Sequence, residues 1–207
     1  LENKKASYAF DKVVEHLISE KLIKKDTKQR IDSTHIVGNV RELSRLELLH
    51  ETLRLFCDDL HASKVNLGGI LHDKCKFYRD DISTRGISDQ QKSTYLKDAG
   101  LTMKLFITWV IQLPEEHPVR SLKSYVTTVF LQNFQDDGTD PEGPKLIKIA
   151  TGKDHICSPH EPESRYANKG NNAWLGYKAQ VAETIPESKN DVGFLTYIEV
   201  NDAPEHD

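Results

Sequence analysis

A mixed α/β fold is what this sequence predicts: three antiparallel strands with a large helical insertion after the first. Three observations carry that expectation. Residues 28–36 read Lys-Gln-Arg-Ile-Asp-Ser-Thr-His-Ile, a β-branched run that follows a Lys-rich segment. Between residues 39 and 134, apolar residues recur at steps of three and four, the period of a helix face. The last third turns back to β character, with runs at 174–185 and 194–200.

The first helix is expected over residues 7–25, where Val13, Val14, Leu17, Ile18 and Leu22 recur at helical spacing. Lys21, Lys24, Lys25, Lys28 and Arg30 then concentrate positive charge against one acid, Asp26. That charge suits a DNA backbone, and equally a solvated helix end whose lysines complement the carbonyl terminus. After the strand, Val37-Gly38-Asn39 breaks the pattern, and Val40, Leu43, Leu46, Leu49, Leu53, Phe56 and Leu60 form the buried stripe of a long helix. A further helical pattern through Leu67, Leu71, Cys75, Tyr78 and Ile82 is weakened by Gly68-Gly69. Ser88 and Gln91 make a capping box for the next helix, which Gly100 is expected to close. Met103, Phe106, Trp109, Val110 and Leu113 then line a face ended by Pro114, and Pro118 opens a last helix through Val126 and Phe130. Residues 136–145, Asp-Asp-Gly-Thr-Asp-Pro-Glu-Gly-Pro-Lys, are the best linker candidate. Three parts follow: 1–36 with the lead helix and first strand, 37–145 as the helical insertion, and 146–207 with the second and third strands.

Length and composition bound the classes. The chain has 207 residues, 37% hydrophobic and 29% charged, which suits one domain with a sizeable insertion and a real core. A net charge of −4 excludes a uniformly basic nucleic-acid binder, so any DNA contact has to come from local patches. Three cysteines at no framework spacing fit a reducing cytosol. The strongly apolar run at 105–111 is too short to cross a bilayer, so a soluble, cytoplasmic protein is expected, without a membrane partner. Because residue 1 is Leu and the only methionine is Met103, the chain is expected to be a piece of a longer protein.

The chemistry centres on Asp32. Side chains alternate along a strand, so Arg30, Asp32 and Thr34 share a face opposite Ile31, Ser33 and His35. A carboxylate in mid-strand is costly to desolvate unpaired. It either takes a cation or faces water on an edge strand. Arg165, Lys169 and Lys178 form an acid-free basic set between residues 164 and 182. They are phosphate-binding candidates, with Asp32 expected on the sheet face that also carries Lys178 or Arg165, or they are an ordinary solvated strand edge.

Two separated blocks carry a resemblance. Asp32-Ser33-Thr34-His35 with Arg41-Glu42-Leu43-Ser44-Arg45-Leu46-Glu47-Leu48-Leu49 and Glu51-Thr52-Leu53-Arg54 forms the first. The second is Ser158-Pro159-His160-Glu161-Pro162-Glu163-Ser164-Arg165-Tyr166, Trp174-Leu175-Gly176-Tyr177-Lys178 and Glu183-Thr184. Together they resemble DDE transposases of bacterial insertion sequences, in the IS4/IS5-like group and close to its IS1182-like branch. The resemblance covers nearly the whole chain and is weakest in the helical middle. It implies the N-terminal part of an RNase H-like sheet, with Asp32 as the first of two Asp and one Glu. Such a set holds two Mg²⁺ or Mn²⁺ ions about 4 Å apart for strand cleavage and joining. DNA is the implied partner, both the terminal inverted repeats of the element and target DNA, bound by a homo-dimer. Arg30, Arg165, Lys169 and Lys178 are the DNA-binding residues that go with it. Where the family commonly has a His two residues after the Lys, this chain has Gln180, which cannot titrate. The second Asp and the Glu are expected later than residue 207, so this piece is expected to be inactive alone.

Two further classes remain open. One is a transposase-derived DNA-binding or protein-interaction module without catalysis. The other is a zinc-stabilised helical adaptor using His72, Cys75, His155, Cys157 and His160, whose spacings are ligand-capable without matching a strong zinc signature.

Overall fold

The structure, a computed structural model, describes residues 2–24, 26–38, 43–80, 86–148, 154–169, 171–186, 188 and 192–203. The expected positions Lys25, Asn39, Val40, Arg41, Glu42 and Ile82 lie outside the described residues.

Helix α1 (Glu2–Ser19) ends well before residue 25. Ser19 donates its hydroxyl to the His16 carbonyl (2.7 Å), and Lys21 takes a left-handed φ of 60°, which ends the helix. Strand β1 (Gln29–Val37) matches the β-branched run. Helix α2 (Arg45–Ala62) starts later than residue 39, because a capping box fixes its first turn. The Ser44 hydroxyl accepts from the Glu47 amide, and the Glu47 carboxylate accepts from the Ser44 amide (2.9 Å).

Helix α3 (Gly69–Arg79) begins after Gly68, and α4 (Asp89–Gln112) begins on the Ser88–Gln91 capping box. Gly100 does not close α4. The helix runs straight through it, and a Cβ there would stand 2.6 Å from the Phe134 ring. That glycine serves packing, where a sequence pattern reads punctuation. A 3-10 turn (Pro118–Leu122) leads into α5 (Lys123–Asn133).

Residues 136–145 form a hairpin rather than a loose spacer. Its short strands β2 (Phe134–Gln135) and β3 (Lys145–Leu146) pair antiparallel. Asp137 accepts from the Thr139 and Asp140 amides (3.0 and 3.3 Å), and Asp136 pairs with Lys104 of α4 (2.8 Å).

Beyond it come β4 (Arg165–Lys169), β5 (Asn172–Thr184) and β6 (Leu195–Asp202). Strand β5 is the centre of an antiparallel sheet. One edge takes β1, from Gln29 opposite Thr184 to Val37 opposite Gly176. The other edge takes β4 along residues 172–176 and β6 along residues 177–183, end to end. The pairing of β1 with β5, and of β6 on the far side of β5, is as expected; β4 is an addition.

The core lies in the helices. Leu49, Leu53, Phe56 and Leu60 of α2 meet Met103, Phe106 and Val110 of α4 and Val126 and Val129 of α5, all essentially inaccessible to solvent. No described helix is long and apolar enough to cross a membrane.

Candidate functional site

Strand β1 positions Asp32 in its middle, opposite Val181 of β5. Among the described residues β1 pairs on one side only, and Asp32 is exposed. Its Oδ1 accepts from the Ser33 amide (2.8 Å), a local bond that leaves the rest of the carboxylate facing solvent. Directly opposite residues in antiparallel strands share a face, so Asp32 lies with Arg30, Thr34, Val181 and Glu183. Arg30 is engaged there: its guanidinium forms a cross-strand ion pair with Glu183.

The basic candidates from the second block are elsewhere. Lys178 stands opposite His35, and Arg165 stands opposite Gly176, two positions from Lys178 along β5. Lys169, opposite Asn172, follows the same alternation. All three belong to the other face of the sheet. The expectation that Asp32 shares a face with Lys178 or Arg165 is therefore corrected by the register. Asp32 aligns with Val181, an odd three residues from Lys178, and an odd offset reverses the face. Lys178 is also buried, at 7% exposure, whereas Lys169 is exposed near the tip of the β4–β5 hairpin. Arg165 is half-buried and turned onto its own segment, donating to the Pro162 carbonyl and the Ser164 carbonyl (3.1 Å). His35, on that same face, stacks on Trp174 with ring centroids 3.7 Å apart.

The structure joins the two motif blocks through residues to which the sequence reading gave no joining role. Gly176 approaches the end of β1 so closely that a Cβ would stand 2.1 Å from the Ile36 carbonyl oxygen. Only glycine fits. Beside it, the Tyr177 hydroxyl donates to Glu161 Oε1 (3.0 Å), and a Cβ on Gly38 would lie 2.9 Å from Glu161 Oε2. Burial first, and then the Glu161 carboxylate, push the Tyr177 phenol up to about 12. One residue earlier, His160 Nε2 meets Glu51 Oε1 of α2 at 2.7 Å. Glu51 is held below the usual carboxylate range, chiefly by its hydrogen bond from Arg54 (2.9 Å). The Leu43 amide donates to the Cys157 carbonyl (3.3 Å). The 158–166 segment thus clips the helices to the β1 end of the sheet. Pro159 and Pro162 around Glu161 were the available sign of a fixed turn.

Metal-ligating side chains do not converge. Among the described residues, no group of three or more His, Cys, Asp or Glu could hold an ion. Cys75 is buried in the helical core, His72 is exposed on α3, and His160 is committed to Glu51.

No family model, no curated protein and no solved structure matches this chain.

Proposed function

We propose that this chain is part of a DNA transposase with an RNase H-like catalytic domain, and that Asp32 supplies one carboxylate to metal-assisted phosphoryl transfer. The observation that carries the reading is the placement of Asp32: mid-strand, exposed, and on a face whose Arg30 guanidinium is already paired to Glu183. A carboxylate so placed is free to ligate a hard divalent ion such as Mg²⁺ or Mn²⁺. The antiparallel order β1–β5–β6, with Asp32 on the outer strand, supports the RNase H-like arrangement.

A two-ion centre needs more oxygen ligands than one aspartate. The described residues do not make that centre by themselves. The reading assigns the remaining acids to residues outside the described set. Of the four basic candidates for DNA phosphates, Arg30 and Lys169 are the exposed ones; Arg30 shares the Asp32 face but is paired with Glu183, and Lys169 lies on the other face. The buried Lys178 and the inward-turned Arg165 have structural surroundings instead. DNA as partner, a homo-dimer on it and a cytoplasmic setting belong to the same proposal.

Two measurements test it. Mn²⁺ titrated into a chain that carries the complete acid set should broaden the NMR signals of Asp32, Ser33 and Val181 first, and Asp32→Asn should abolish that broadening. In a chain that carries the complete acid set, Asp32→Asn should abolish cleavage of a labelled element end with Mg²⁺ or Mn²⁺ and leave gel-shift binding intact. Cleavage by the Asn variant at the wild-type rate would remove Asp32 from the chemistry. Binding without metal-dependent cleavage in the unmodified protein would favour the non-catalytic module.

A further inference from the structure

Helices α2 and α3 meet along a seam where two thiols face each other. Cys57 of α2 and Cys75 of α3 are 1% and 7% exposed, belong to the same core cluster, and interact through their side chains. An ion pair beside them holds the seam in register: Asp58, next to Cys57, meets Arg79, one turn beyond Cys75, at 2.8 Å. Cys157 lies in the segment between the helices and the sheet, its thiol 3.7 Å from the His155 carbonyl. All three cysteines are reduced.

We propose that Cys57 and Cys75 are a redox pair, which a small-molecule disulfide such as oxidised glutathione closes into a covalent staple between α2 and α3. The two thiols are unequal. Hydrogen bonding from Cys57 pulls the Cys75 thiol down, with Arg79 helping, while the same contact and burial push Cys57 up. Cys75 is also the more accessible, on a short helix whose N-cap, Gly68, makes no side-chain hydrogen bond. Local opening of α3 therefore exposes Cys75 first.

The Cys75 thiolate attacks one sulfur of the oxidant, and one glutathione leaves as its thiolate. Cys57 then loses its proton to solvent and attacks the Cys75 sulfur of the mixed disulfide, expelling the second glutathione. Two protein thiols are oxidised and one glutathione disulfide is reduced to two thiols, so atoms and electrons balance.

The test is a peptide map of the folded protein after incubation with oxidised glutathione, with free thiols then blocked by iodoacetamide. Lys64 and Lys74 lie between the two cysteines, so trypsin separates their peptides unless a disulfide joins them. The expected result is a joined Cys57–Cys75 pair that dithiothreitol separates. Cys157→Ser should leave that pair intact, and Cys75→Ser should eliminate it. The proposal is overturned if both cysteines carry the blocking group, if each carries glutathione without being joined, or if either is joined to Cys157. The map of the unsubstituted protein alone is decisive should a variant fail to fold.

Discussion

In the helical segment, Leu49, Leu53, Phe56, Met103, Phe106 and Val110 are enclosed on all sides, whereas in the sheet Ile31, Val37, Ile198 and Val200 keep more than half their surface in solvent. Two kinds of cohesion divide the molecule. The helices are held by side-chain packing at interior density, which rewards every enclosed methylene. The sheet is held by its backbone ladder, by the Gly176 contact and by the Glu161–Tyr177 bond. The candidate carboxylate belongs to the second region, on a strand exposed along most of its length. Stability and chemistry are thus separable here, and substitutions in the two regions should behave differently.

The largest expected effect is in the helical core. Phe106→Ala should cost about 3–5 kcal/mol and Leu53→Ala about 2–5 kcal/mol in urea unfolding, through lost burial and the cavity left behind. Ile198→Ala and Val200→Ala, on the exposed sheet face, should stay within about 0.5 kcal/mol of the parent. Equal losses in the two regions would refute the division.

Gly176→Ala comes next. The added Cβ has no room against the Ile36 carbonyl, and the strain should cost about 2–3 kcal/mol. Hydrogen exchange should show protection lost at the β1–β5 pairing, while α2 and α4 keep theirs. Loss spread evenly over both regions would mean that the sheet and helices unfold as one unit.

A smaller, pH-dependent effect is expected at Glu51, which pairs with Arg54 within α2 and with His160 of the clip. The folded-state pKa of Glu51 is depressed, so its contribution is fully present above its unfolded value, about 4.3, and is lost as pH falls through the folded value. Solvent screening keeps this below about 1 kcal/mol. Acid titration of stability should show that loss in the parent protein, and Glu51→Gln should flatten it.

The smallest stability effect belongs to Asp32→Asn. Exposed and, among the described residues, bonded to its neighbouring amide, Asp32 should change unfolding by less than about 0.5 kcal/mol. A cost of several kcal/mol would make it a structural aspartate and remove the separation between chemistry and stability.

Much of the framework was legible in the residues because it follows local rules. The α2 stripe through Leu49, Leu53, Phe56 and Leu60 is a helical period, and the Ser88–Gln91 capping box does start α4. The β-branched run at 28–36 and the segment around Tyr177 are strands that pair as expected. The misreadings arose where a residue answers to a distant partner. Gly100 looks like a helix stop, yet it makes room for Phe134, thirty-four positions on. The 136–145 segment is legible as a loop, but its Asp136–Lys104 contact is not.

At the candidate site the division has the same cause. The mid-strand position of Asp32 and the alternation of its neighbours followed from the sequence alone, because strand geometry has a period of two. Which strand face Lys178 and Arg165 would join did not follow, since a shift of a single residue in pairing register exchanges the faces. That register was decided in three dimensions, where Gly176 stacks against the Ile36 carbonyl and Tyr177 bonds to Glu161. Local periodicity therefore determined which elements this chain forms and that Asp32 lies mid-strand. Tertiary packing alone decided which charges stand beside it, because register depends on contacts between residues far apart in the chain.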